Sequence, residues 1–123
     1  MLGLSYGGFY TMHTTALETR IKVGFSCSQY NDRYLRTFAD WVWFNSANKF
    51  FDNEVASLIY PRKFLIAVGT NDPVFPVKSV EKEFKKLKEM IDGNWVELEI
   101  FEGDHEFTKD DNMLNKFFTA LLK

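Results

Sequence analysis

Three side chains in this sequence have the types needed for nucleophilic catalysis: Ser5 in Gly3-Leu4-Ser5-Tyr6-Gly7-Gly8, Asp72 in Gly69-Thr70-Asn71-Asp72-Pro73, and His105 in Gly103-Asp104-His105-Glu106-Phe107. A serine hydroxyl is a poor nucleophile at neutral pH. It becomes a good one when an imidazole takes its proton and a carboxylate fixes the imidazole's tautomer. Gly3-x-Ser5-x-Gly7 running into a helix is the pattern of a nucleophile elbow, in which the serine sits on a strained turn between strand and helix. Glycines flanking the serine let the backbone turn without a Cβ clash, and the helix start exposes the hydroxyl. The Tyr6 backbone N–H would then donate to the oxyanion of a tetrahedral intermediate.

Each residue alone is unremarkable. Glycine-flanked serines occur in ordinary loops, an aspartate before proline forms turns, and a loop histidine beside Asp104 and Glu106 needs no catalytic purpose. Their conjunction carries the argument: each follows a different strand at its carboxyl end, and they occur in the order Ser, Asp, His.

The elements that must hold them can be read from apolar periodicity. Phe9, Met12, His13, Ala16 and Leu17 form one stripe of a helix over 7–18. Residues 21–27 and 63–69 are short, apolar and free of proline, as expected of strands buried on both faces of a parallel sheet. The amphipathic run at 78–91, with Val80, Phe84, Leu87 and Ile91 recurring among lysines and glutamates, is a surface helix. Val96, Leu98 and Ile100 alternate with Glu97 and Glu99, which predicts a strand near a sheet edge. A last helix, with Asp111 as N-cap, buries Met113, Leu114, Phe117, Phe118 and Leu121. Between strands, 30–62 reads as an aromatic insertion of short helices, with Tyr34, Phe38 and Trp41 at helical spacing. The expected architecture is α/β, a three-stranded parallel sheet flanked by helices in one unit spanning 1–123.

The elbow hexapeptide, Phe25-Ser26-Cys27 with Asn31-Asp32-Arg33 after it, and Asp40-Trp41-Val42-Trp43-Phe44 resemble the α/β-hydrolase superfamily, in its acetylxylan esterase and dienelactone hydrolase-like group. Leu58-Ile59-Tyr60-Pro61-Arg62, Asn71-Asp72-Pro73-Val74-Phe75-Pro76 and Gly103-Asp104-His105 extend the resemblance through that group's C-terminal half. The resemblance implies that Ser5 is the nucleophile, His105 the general base and later acid, and Asp72 the orienting carboxylate. It also implies a carboxylic ester substrate, with acetylated carbohydrate the family-level expectation.

The departure from that group is the lack of the strands that should precede the nucleophile, together with the loop that gives the second oxyanion N–H. Losing one such donor costs about 10²–10³ in turnover, so a poor esterase is expected of the chain alone. Strand 21–27 would be an open apolar edge, inviting self-association or a partner that supplies the N-terminal half. Two rivals stand beside this reading. Serine peptidases of the prolyl-oligopeptidase kind share a Gly-x-Ser-Tyr-Gly-Gly elbow and the triad order, and a non-catalytic fragment or interaction module would account for the lacking half.

Composition narrows the remaining classes. Fifteen basic and seventeen acidic residues give a formal charge of −2 and no basic run to draw nucleic acid or an anionic membrane. No stretch approaches the roughly twenty apolar residues of a membrane span, and the N-terminus lacks a signal-peptide pattern, so a cytoplasmic location is expected. Cys27, the single cysteine, lies in an apolar run and reads as a buried structural thiol. His13 reads as a packed histidine of the helix stripe. The acidic cluster around His105 matches no strong metal-ligand spacing, and the chemistry calls for neither metal nor cofactor.

Overall fold

The computed structural model describes residues 1–33 and 50–123. The helical spacing expected of Tyr34, Phe38 and Trp41 and the motif at 40–44 lie outside the described residues. Along the chain run β1 (Leu2–Leu4), α1 (Tyr6–Leu17), β2 (Val23–Cys27), α2 (Asp52–Ser57), β3 (Lys63–Gly69), α3 (Val77–Met90), β4 (Val96–Phe101) and α4 (Asp111–Leu122). The strands form one sheet in the order β1-β2-β3-β4, every neighbouring pair parallel.

The α/β class is as expected, but the sheet has four strands rather than three. Residues 2–4 were too few to be read as a strand by periodicity, yet pairing needs only a register, and here Leu2, Gly3 and Leu4 lie against Phe25, Ser26 and Cys27. The ladder is extended at both ends: the Met1 ammonium donates to the Val23 carbonyl at 2.9 Å, and Ser5 N–H donates to that of Cys27 at 2.9 Å. Strand β2 is therefore an inner strand, and the open edge falls on β1.

Side-chain alternation divides the core. Phe64, Ile66 and Val68 of β3 face a cluster with Met12 and Ala16 of α1, Val55 and Ala56 of α2, and Val80 and Leu87 of α3. Leu65 and Ala67 point the other way, joining Val23, Phe25 and Cys27 of β2 against Met113 and Phe117 of α4. Burying each such large side chain stabilises by about 1.5–3 kcal/mol. The inward residues of β2 on the α1 side are small because α1 lies so close: a Cβ on Gly24 would meet Thr15 Oγ1 at 2.9 Å, and Ser26 Oγ donates to the Gly8 carbonyl at 3.1 Å. Arg62 fastens the far end of α1, its guanidinium donating to the carbonyls of Thr15, Glu18 and Ile21.

Several local expectations are corrected. The N-cap of α4 is Asp110, whose carboxylate accepts from Asn112 N–H at 3.0 Å, and not Asp111, which begins the helix. Phe118 and Leu121 are exposed, because α4 presents to the sheet only a narrow stripe centred on Met113 and Phe117. Leu17 is likewise exposed, one position past the stripe of α1 that reaches β2. Among the described residues, no helix is long and apolar enough to cross a membrane.

Candidate active site

In a parallel sheet the loops at the carboxyl ends of the strands share one edge. Ser5 follows β1, Asp72 lies three residues past the end of β3, and His105 lies four past the end of β4.

Ser5 joins β1 to α1 with φ 56° and ψ −117°. A non-glycine residue held at positive φ stores about 1–3 kcal/mol, which persists only where the surroundings fix it. Here the fixing contacts are the ladder bond to Cys27 and the helical bond from Phe9 N–H to the Ser5 carbonyl, both 2.9 Å. The flanking glycines do different work. A Cβ on Gly3 would lie 2.3 Å from the carbonyl carbon and oxygen of Gly7, and one on Gly8 would lie 2.9 Å from the Cys27 carbonyl, whereas among the described residues nothing comes within 4 Å of a Cβ on Gly7. Close approach requires glycine at 3 and 8. Tyr6 is the first residue of α1, at the positive end of the helix dipole.

Asp72 has both carboxylate oxygens engaged. Oδ1 accepts from the backbone N–H groups of Val74 (2.8 Å) and Phe75 (2.9 Å), and Oδ2 lies 3.0 Å from His105 Nδ1. The carboxylate is fully buried while the imidazole is a quarter exposed. A carboxylate can only accept, so this contact places a proton on Nδ1 and leaves Nε2 as the basic nitrogen. Phe75 stacks on the imidazole, ring centroids 5.8 Å apart.

The loops around this pair are tied together. Thr70 N–H donates to the Phe101 carbonyl (2.8 Å) and Asn71 N–H to that of Gly103 (2.9 Å), linking the Asp72 turn to the His105 loop. Ser5 connects through β2: its N–H bonds the Cys27 carbonyl, and the Cys27 thiol and Ser28 hydroxyl both reach the Glu106 carbonyl, one residue from His105. The structure thus joins Asp72 and His105 directly. The hydrogen bonds of the described residues do not include one from the Ser5 hydroxyl to the imidazole, a contact that in unliganded enzymes often tightens only with substrate.

The remaining candidates behave as packing residues. Burial pushes the Cys27 thiol up to about 11, so it carries no thiolate near neutrality. His13 bonds the Phe9 carbonyl at 3.0 Å through Nδ1, packs on the Phe9 ring, and has its pKa lowered by burial. Sequence reasoning missed Ser28, Gly69 and Phe75. Phe75 could have been found from its place three residues after an aspartate in a turn, and nothing in the sequence marks the other two.

No family model matches the chain. It is 34% identical over 100 residues to the Bacillus subtilis protein named "Putative hydrolase YtaP", a match covering 75% of this chain and 33% of that protein. In fold it is similar to a glucuronoyl esterase from Solibacter usitatus, with a TM-score of 0.74, 19% identity, and coverage of 99% of this chain and 42% of the other. A carbohydrate esterase family 15 glucuronoyl esterase from Caldicellulosiruptor kristjansonii gives 0.68, 16%, 97% and 41%, and an esterase from Pyrococcus furiosus gives 0.61, 14%, 98% and 49%. The chain spans a third of that relative and under half of these structures. Its fold is that of the α/β-hydrolases, of which it holds four parallel strands and their flanking helices.

Proposed function

We propose that this portion of the α/β-hydrolase fold carries the catalytic residues of a serine hydrolase acting on carboxylic esters. The observation that supports it best is the buried Asp72 carboxylate, held by two backbone N–H groups and 3.0 Å from His105 Nδ1, at the sheet edge where Ser5 sits at positive φ.

In this reading the Ser5 turn is the nucleophile elbow. His105 Nε2 takes the Ser5 proton as Oγ attacks the ester carbonyl, and Asp72 stabilises the imidazolium that forms. The Tyr6 N–H at the start of α1 receives the developing oxyanion, favoured by the positive end of the helix dipole. His105 then returns the proton to the departing alcohol, and water repeats the sequence on the acyl-serine to release the acid. A carbohydrate ester is the substrate class the esterase neighbours favour. The second oxyanion donor of α/β-hydrolases follows an earlier strand than the one bearing the serine, and here that strand is β1. Full activity accordingly calls for a further segment or a second copy of the chain seated on the β1 edge, where Met1 and Leu2 are exposed.

The test is hydrolysis of p-nitrophenyl acetate by the purified chain beside Ser5→Ala. Release of p-nitrophenol above background, abolished in the variant, supports the reading; equal rates in the two proteins would remove Ser5 from the chemistry.

A further inference from the structure

The turn that ends β2 uses a conformation serine adopts only under constraint. Ser28 has φ 51° and is fully buried, where glycine would be the strain-free choice. Its backbone N–H continues the ladder by donating to the Ala67 carbonyl at 2.8 Å. The left-handed turn that follows aims the hydroxyl at the loop after β4, 3.5 Å from the carbonyl of Glu106. The Cys27 thiol reaches the same oxygen at 3.4 Å. Because burial keeps that thiol protonated, it too is a donor. The Glu106–Phe107 peptide, one residue beyond His105, is therefore met by two donors from the end of β2, while the Glu106 side chain turns outward to Lys109.

The loop is also in close contact with the end of β3. A Cβ on Gly69 would lie 2.2 Å from the Asp104 carbonyl oxygen and 2.5 Å from that of Gly103, so the loop rests directly on the end of β3. These contacts tie the loop that carries the imidazole to the ends of β2 and β3.

We propose that Ser28, assisted by Cys27, is a positioning residue for His105: its hydroxyl holds the Glu106 carbonyl so that the imidazole stays in register with Asp72. The catalytic consequence rests on the serine-hydrolase reading, and the structural one does not. The strain at Ser28 is then the means by which a hydroxyl is brought to a place the strand direction alone would not reach.

Two variants separate the hydroxyl from the backbone. Ser28→Gly removes the hydroxyl and relieves the positive φ, whereas Ser28→Ala removes the hydroxyl and keeps the strain. In the full chain with isotopically labelled histidine, NMR reads solvent exchange of the His105 Nδ1 proton, with His13 as internal reference. Exchange about tenfold faster or more is expected in both variants, although Ser28→Gly melts no lower than wild type; the same loosening should lower kcat on p-nitrophenyl acetate about tenfold and leave KM within about twofold. Wild-type exchange in Ser28→Gly would overturn the proposal. So would faster exchange confined to a variant that has lost thermal stability, because the hydroxyl would then act only through stability. The exchange of the Nδ1 proton is read without turnover, so failure of the Ser5→Ala comparison would leave that result standing, and the two readings can fail separately.

Discussion

Replacing Gly3 by alanine perturbs the site without touching any reacting group. The new Cβ would start 2.3 Å from the Gly7 carbonyl carbon and oxygen and 2.8 Å from Gly7 Cα. All three are backbone atoms, so no side chain can swing aside, and the start of α1 must retreat from β1 by roughly 1 Å before ordinary contact is restored. Ser5 is the only residue between those elements and absorbs the shift. A displacement of about 1 Å at a reacting group costs about a hundredfold in rate, or roughly 2.7 kcal/mol of barrier, and overpacking of this kind costs about 1–3 kcal/mol in stability. Thermal unfolding and p-nitrophenyl acetate kinetics on the same preparation measure both. Gly7→Ala is the matched comparison: it lies in α1 with open space around its Cβ position among the described residues, so its stability should be unchanged or higher by up to about 1 kcal/mol. Wild-type melting and turnover in Gly3→Ala, or equal losses in the two variants, would refute the argument from close approach.

Two further substitutions test the electrostatics. In Asp72→Asn the amide oxygen must face the Val74 and Phe75 N–H donors, which turns the amide NH₂ toward His105 Nδ1, selects the wrong tautomer and should lower kcat by about 10⁴-fold; a loss below tenfold would mean Asp72 does not set the tautomer. Burial raises the pKa of Glu83 against the opposing Asn53 N–H and Lys86. The folded state therefore binds its proton more tightly than the unfolded state, and the contribution of this group to stability falls as pH rises above about 4.5. Glu83→Gln cannot ionise, so its melting temperature relative to wild type should improve from pH 4 to pH 7, and a pH-independent difference would contradict the assignment.

Most of the scaffold was legible because its signals are local. The apolar runs of β2 and β3 and the amphipathic pattern of α3 announce themselves within a dozen residues, and so do the turn residues around Asp72 and His105. What escaped depends on partners distant in sequence. Strand β1 is defined by its register on β2 and not by any pattern of its own three residues. The exposure of Phe118 and Leu121 follows from how narrow a stripe α4 presents to the sheet. The requirement for glycine at 69, and the left-handed turn at Ser28, arise where the His105 loop crosses the ends of two other strands. The elbow glycines illustrate the same division: the sequence marks Gly3, Gly7 and Gly8 alike, and packing makes 3 and 8 obligatory.

The central claim is that Ser5 is a nucleophile activated by His105. Its most direct test is covalent capture: incubation of the chain with a fluorophosphonate, followed by mass spectrometry of the intact protein and of its peptides. The account predicts one adduct per chain, located on Ser5 and lost in both Ser5→Ala and His105→Ala. An adduct that persists in His105→Ala, or that forms on another residue while Ser5 stays unmodified, would contradict it.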